Sequence, residues 1–399
     1  MYDFDTPVSR RNSFSLKWDV KDTDLPMWVA DMDFQTAPEI REAIRKRAEH
    51  GIFEYTVVPE EWYQAYMDWW RFRHAFTIEK ESLIFCTGAV PAISTAVRKL
   101  TTPAEQVVLL TPVYNIFFNS ILNNGRRVVE CPLDYDGAYS VNFERLEAIL
   151  AEPQTTMMIF CNPHNPIGMI WDRNTLAKIG MLCKKHHVIV ISDELHCDLT
   201  APGKQYIPFA SVSQECRENS ITCIAPTKAF NLAGLQTAAV VVPNEVLRHK
   251  MWRALNTDEV AEPNAFAITA TIAAFKEGAP WLDALRDYIE ENRKLVMEYV
   301  VNELPQIYVV PAEATYLIWM DCSYTLEDLK KVRRKNHPKD LVYDSVWLAD
   351  TIRKKSGLYL SEGKEYGGNG DQFLRMNVAA PRSYVENGLM RLKQTWMFR

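Results

Sequence analysis

Between Thr156 and Gln236 the chain alternates strand-like and helix-like stretches: TMMIFCN (156–162), DRNTLAKIGMLCKKH (172–186), HVIVISDE (187–194) and SITCIAPT (220–227). The first, third and fourth are short and almost continuously apolar, as strands covered on both faces are. The second is long, amphipathic and charged on one side. Working outward, SLIFCT (82–87), QVVLLT (106–111), RRVVECPL (126–133) and TAAVVVP (237–243) extend the strand set, and NFERLEAILAE (142–152) supplies another helix. This βαβ rhythm predicts an α/β fold with a large, doubly wound, mostly parallel sheet.

A helical region from about 264 to 304 follows, then a mixture of strand (TYLIWMD, 315–321), helix (SVWLADTIRKK, 345–355) and strand (FLRMNVA, 373–379). We therefore expect a large domain over 45–285. A smaller α+β domain is built from 286–399 together with the loop-rich segment 1–44.

The 399 residues are 47% apolar and 24% charged, with a net charge of −6. That balance argues against a generally cationic, nucleic-acid-binding surface. Lys330, Lys331, Arg333, Arg334 and Lys335 form a local basic run, read as a solvated helix face. The first residues lack the apolar core of a secretory signal, and no stretch approaches the ~20 apolar residues of a membrane span. The eight cysteines are scattered, several within apolar runs, which fits reduced thiols in a cytoplasmic protein and gives no zinc-ligand spacing.

In sheets of this kind ligands bind at the carboxyl ends of the strands. Three such ends carry polar residues: Asn162 to Gly168, Asp193 to His196, and Pro226 to Leu235 around Lys228. Each alone is an ordinary turn, cap or loop. Together they match one ligand, pyridoxal 5′-phosphate. That cofactor needs an acid at its ring nitrogen (Asp193), a donor at its phenolic oxygen (Asn165) and an amine for a Schiff base (Lys228). The loop Thr87–Gly88–Ala89, before the helical PAISTAVRKL (91–100), offers backbone N–H groups for the phosphate.

With these residues in order, the chain resembles the class I/II aminotransferase family (fold type I). Within it, the resemblance is to the cystathionine β-lyase and cysteine-S-conjugate β-lyase branch. NPHNPIG (162–168), SDELHCDL (192–199), APTKAFNLAGLQ (225–236), ATYLIWMD (314–321) and GNGDQFLRMNVAAPR (368–382) carry it, across nearly the whole chain.

The resemblance implies that Tyr114 stacks on the cofactor ring and that Arg375 grips the substrate α-carboxylate. It implies that Tyr55 reaches the neighbouring subunit's site, hence a homodimer with shared active sites, and that Ala30, in WVADMDF (28–34), borders the substrate pocket. Two positions depart from the aminotransferase pattern. His196 stands where many have tyrosine, as either a cofactor contact or a structural residue. Ala225 and Gln236 replace a serine and an arginine at the phosphate, leaving Thr227 and the Gly88, Ala89 and Val90 backbone as candidates.

The implied reaction is α,β-elimination from L-cystathionine, L-cysteine or a cysteine S-conjugate, giving thiol, pyruvate and ammonia. Lys228 is the base at Cα, and Lys228 or Tyr114 the acid at the leaving thiolate. An aminotransferase with the same residues is one alternative. A regulatory protein that retains the fold to bind a partner is another.

Overall fold

The computed structural model describes residues 2–333 and 342–396. Its central sheet contains β1 (Leu83–Cys86), β2 (Gln106–Thr111), β3 (Arg127–Pro132), β4 (Thr155–Cys161), β5 (Ile189–Asp193), β6 (Ser220–Ile224) and β7 (Ala238–Val241), in the spatial order β1-β7-β6-β5-β4-β2-β3. The pairs β2–β3, β2–β4, β4–β5 and β5–β6 are parallel, while β7 runs antiparallel to both β6 and β1.

The uniformly apolar strands are explained by helices on both faces. Val107 and Leu109 point into one core with Ile93 and Val97, while Val108 and Leu110 point into another with Leu176 and Ile179. Alternation along a strand thus leads from one buried layer to the other, with no wet face. The helices begin where the sequence supplies caps. Asp172 accepts from the N–H groups of Asn174 and Thr175 to open the helix Arg173–Lys185, and Asn142 accepts from Arg145 to open Phe143–Leu150.

The helical region after the sheet consists of two helices, Ala267–Glu277 and Ala279–Glu303. They join at Gly278, where a Cβ would lie 2.4 Å from the Phe230 ring and 2.5 Å from the Ala274 carbonyl oxygen. The chain then forms an antiparallel sheet of β8 (Tyr308–Val309), β9 (Leu317–Asp321), β10 (Ser361–Glu362) and β11 (Phe373–Asn377), ordered β8-β9-β11-β10. Residues 25–26 pair in parallel with 358–359, and Leu25 and Met27 share a core with Val296, Ile352 and Met376.

Lys330 and Lys331 are exposed on the helix Ser323–Arg333, while Arg334 and Lys335 lie outside the described residues. All eight cysteines are buried and free. Among the described residues no helix is long and apolar enough to cross a membrane.

Candidate active site

A cavity of ≈ 260 Å³ opens at the carboxyl ends of β4, β5 and β6, beside the N-terminus of the helix Ala89–Leu100. The ends of β4 and β5 are tied by the N–H of Asn162, which donates to the Asp193 carbonyl at 2.9 Å. Asn162–Pro163 and Asn165–Pro166 are both cis, and Asn165 faces the cavity. The Asn165 Oδ1 accepts from Arg375 Nη1 at 3.2 Å, which leaves its amide N–H groups to the cavity.

Asp193 closes β5, its carboxylate accepting from the Leu195 N–H at 3.2 Å. Burial pushes its pKa up to about 6, against the pull of that N–H and of Lys228. An apposed cationic ring nitrogen would hold it ionised. Lys228 follows β6, and its Nζ donates to the Ala30 carbonyl at 2.7 Å. Burial lowers the amine to about 8; the Arg375 charge adds to this, while Asp31 and Asp193 oppose it. Asp193 and Lys228 do not form an ion pair, so the carboxylate and the amine each keep a face for a ligand.

Gly88, Ala89 and Val90 line the cavity at the start of their helix, whose first-turn N–H groups have no intrahelical partner. Thr227 lines it too, as do Gln236 and Thr237. Gln236, which sequence reasoning set aside as a phosphate contact, therefore offers an amide donor at the place of the missing arginine. Tyr114 also lines the cavity, and burial raises its phenol to about 12, so it remains protonated. His196 lies on the wall edge-on to Tyr316, with its Nδ1 buried and without a hydrogen-bond partner. Burial, then the charges of Lys228 and Arg375, keep this imidazole neutral.

Arg375, on β11, is 5% exposed. Its Nη2 donates to the Trp28 carbonyl at 2.8 Å and to Ser361 Oγ at 3.4 Å, while its Nε–H has no partner. Ala30 stands between, its carbonyl also accepting from the Tyr316 hydroxyl at 2.9 Å. The structure thus brings Lys228, Asp193, Asn165, His196, Tyr114, Thr227, Arg375 and Ala30 to one place. Tyr55 is not among them. It is 97% exposed, in a neighbouring groove that shares Thr87 and Gln236 with the cavity.

Two contributors were not legible as site residues. Tyr316 lies within ATYLIWMD, read as a strand and as part of the family resemblance but with no site role given to the tyrosine. Asn231 holds the 28–34 stretch by accepting from Met32 N–H and donating to the Met32 and Phe34 carbonyls. Glu194, beside Asp193, is fully buried and accepts from Ser192 Oγ, the Phe209 N–H and the Tyr206 hydroxyl, fixing the turn beyond β5. Asp198 ties the same turn to the helix Glu60–His74 by accepting from Trp69 Nε1 and His74 Nε2.

The donor set fits pyridoxal phosphate. A buried carboxylate, a free amide donor and an amine of lowered basicity converge on one cavity, with a helix N-terminus at its end. The orphaned Nε–H of Arg375 adds an anion-binding edge.

Residues 25–392 match the family model for aminotransferase class I and II. The chain is 40% identical to the cystathionine β-lyase PatB of Bacillus subtilis, the alignment covering 98% of each chain. Cystalysin from Treponema denticola, whose crystal structure contains pyridoxal 5′-phosphate, superposes with a TM-score of 0.92 at 31% identity, over 100% of this chain and 99% of that one. The PLP-bound C–S lyase from Staphylococcus hominis gives a TM-score of 0.89 at 30% identity, over 99% of this chain and 98% of that one. The chain belongs to the aminotransferase class I and II family, in the company of its cystathionine β-lyase and C–S lyase members.

Proposed function

We propose that this protein is a pyridoxal-phosphate-dependent carbon–sulfur β-lyase, cleaving L-cystathionine, L-cysteine or cysteine S-conjugates to thiol, pyruvate and ammonia. The observation that carries the chemistry is a Lys228 amine of lowered basicity on the same cavity as the buried Asp193 carboxylate. The observation that favours elimination is the relationship to lyases over nearly the full chain.

Lys228, Asp193, Asn165 and the Gly88–Val90 backbone would hold the cofactor, with Thr227 and Gln236 at the phosphate end, Tyr114 over the ring and His196 on the wall. When bound, the cofactor supplies a carbonyl for the substrate amine and a ring that accepts the electron pair left at Cα. Arg375 holds the substrate carboxylate, offering its unpartnered Nε–H as one donor. Asp193 would supply the negative charge that the cofactor's ring nitrogen needs. Lys228, neutral above about pH 8, takes the Cα proton, and the C–S bond breaks with its electron pair on sulfur. The thiolate then takes a proton from the Lys228 ammonium or the protonated Tyr114, and the aminoacrylate that is released is hydrolysed by one water to pyruvate and ammonia.

The reading includes a homodimer. Ile52, Phe53, Tyr55 and Val57 form an exposed apolar run beside the site, which a second copy would cover with Tyr55 reaching its cavity. Eight reduced, buried thiols support a cytoplasmic location. The shared core of Leu25 and Met27 with Ile352 and Met376 supports a small domain built from part of the first segment and the C-terminal region. Phe34, Ala37 and Ile40 instead pack with Trp62 and Phe275, which moves the first boundary to before the helix Pro38–Glu49.

Product analysis with L-cystathionine and no added keto acid tests the function. Pyruvate, ammonia and thiol in equal amounts over many turnovers are expected. A single turnover per site that resumes only on adding an α-keto acid would make the protein an aminotransferase.

A further inference from the structure

Arg375 is a buried cation with no carboxylate within ion-pair distance among the described residues. Its in-plane contacts are neutral: Asn165 Oδ1, the Trp28 carbonyl and Ser361 Oγ. A buried charge needs compensation. A protein carboxylate in the plane of the guanidinium would provide it, but would occupy the edge that a substrate carboxylate needs.

An aromatic ring supplies the compensation. The guanidinium carbon of Arg375 lies 4.8 Å from the ring centroid of Tyr366, over its face. A cation over an aromatic face is attracted by the ring quadrupole, more strongly when water is excluded, and no N–H is consumed. Tyr366 is fully buried, so the contact is dry.

The fold holds this ring in place on two sides. Arg375 pairs directly with Trp319 across β11 and β9, so both side chains rise from the same face of the small sheet. Tyr366 stands edge-on to Trp319 at 5.4 Å, and Trp319 stacks on Phe373 at 5.0 Å and 8°. On its other side the Tyr366 carbonyl accepts from the Val113 N–H at 2.8 Å, next to Tyr114. The loop carrying it closes tightly, since a Cβ on Gly363 would lie 2.2 Å from the Gly370 carbonyl oxygen.

We propose that Tyr366 is a positioning residue for recognition of the substrate α-carboxylate. Its ring face holds and partly neutralises the Arg375 guanidinium while consuming none of its donors, so that the unpartnered Nε–H stays available to the carboxylate. The inference rests on the reading of Arg375 as the carboxylate anchor.

The test is ligand binding to the holoenzyme, followed by the cofactor's absorbance, with L-alanine and with ethylamine. Alanine has no β leaving group, and ethylamine is the same molecule without the carboxylate. Position 366 is filled with phenylalanine and then with phenylalanines of increasing fluorination, which keep the ring's shape while draining its face. Tyr366→Phe is expected to bind alanine within about threefold of the parent. Fluorination is expected to weaken alanine stepwise, on the order of tenfold in all, and to leave ethylamine within about twofold. A flat series, or equal losses for both ligands, would overturn the role of Tyr366. Arg375→Leu separates this from the underlying reading, because it should abolish the preference for alanine. If that preference survives Arg375→Leu, the carboxylate anchor is elsewhere and the inference falls with it. A flat fluorination series alongside loss of preference in Arg375→Leu overturns only the inference.

Discussion

The Nζ of Lys228 donates to the carbonyl oxygen of Ala30 at 2.7 Å, across 198 residues of sequence. The amine rests on a neutral acceptor, within a stretch fixed from several sides. Asn377 donates to the carbonyls on either side of Ala30, those of Val29 and Asp31, and Lys17 and Arg10 pair with Asp33. A carbonyl stabilises the ammonium form less than a carboxylate would, so burial prevails and the pKa falls.

That lowering predicts how the cofactor-free protein responds to pH. Between about 8 and the unperturbed value near 10.4, the unfolded chain carries a proton on Lys228 that the folded chain does not. Wild-type stability should therefore rise with pH across this window. Lys228→Met removes the group, so its advantage over wild type should be up to about 3 kcal/mol at pH 7 and shrink toward pH 10. Urea unfolding of both apo proteins at pH 7, 8, 9 and 10 measures it. Parallel pH profiles would show that the amine is not desolvated as described. In the holoenzyme, Lys228→Met should lower turnover by a factor of at least about 10³.

Asp193→Asn keeps the size of the side chain and an oxygen for the Leu195 N–H, while removing the charge. If the carboxylate sits opposite the ring nitrogen, kcat with L-cystathionine should fall on the order of a hundredfold or more. Cofactor content after gel filtration should fall as well. Unchanged kcat in Asp193→Asn would remove Asp193 from its assigned place.

The large sheet and the polar strand ends were readable because both leave local marks. Val108 and Leu109 sit side by side and are both buried only when helices cover both faces, and such runs are visible as text. The direction of β7 was not visible, since Ala238–Val241 reads alike in either sense of pairing. The break at Gly278 was hidden for another reason, as the glycine is required by the approach of Phe230, a contact 48 residues away. Lys228, Asp193, Asn165 and Arg375 stood out through their motifs. Tyr316 and Tyr366 did not, because a buried aromatic in or beside a strand looks like core until its partner, Ala30 or Arg375, is known.

Glu194 offers a test of the scaffold beside the site. Burial raises its pKa to about 7, although Tyr206, the Phe209 N–H, Ser192 and Asn162 all pull it down. Between about 4.5 and 7 the folded protein thus binds a proton that the unfolded chain has lost, and stability falls as pH rises through the window. Glu194→Gln removes this dependence, so wild type should lose up to about 3 kcal/mol relative to it between pH 5 and pH 8. Glu194→Leu should cost about 3 kcal/mol or more at any pH, since it strands buried donors. Denaturant midpoints at both pH values check the two statements together.

The cysteines predict a null reaction. All eight are buried, and burial raises the thiols of Cys86, Cys131 and Cys161, so thiolate is scarce as well as hidden. A thiol reagent should find almost no fast-reacting group in the native protein and eight after unfolding. Rapid native labelling of one or more would show a local opening.

Tyr55 allows the dimer and the shared site to be tested in one experiment. Its side chain is 97% exposed, while its groove adjoins its own subunit's cavity at Thr87 and Gln236. If Tyr55 completes the partner's site, Tyr55→Ala and Lys228→Ala homodimers are each impaired at both sites. A mixed dimer then gathers both substitutions into one site and leaves the other with its own Lys228 and the partner's intact tyrosine. Mixing the two variants under conditions that allow subunit exchange should restore activity that neither has alone. The restored activity should grow with the fraction of mixed dimer measured by native mass spectrometry. If Tyr55 instead serves its own subunit, each mixed dimer carries one defect per site and stays as impaired as its parents. A monomer under assay conditions would remove the shared site altogether.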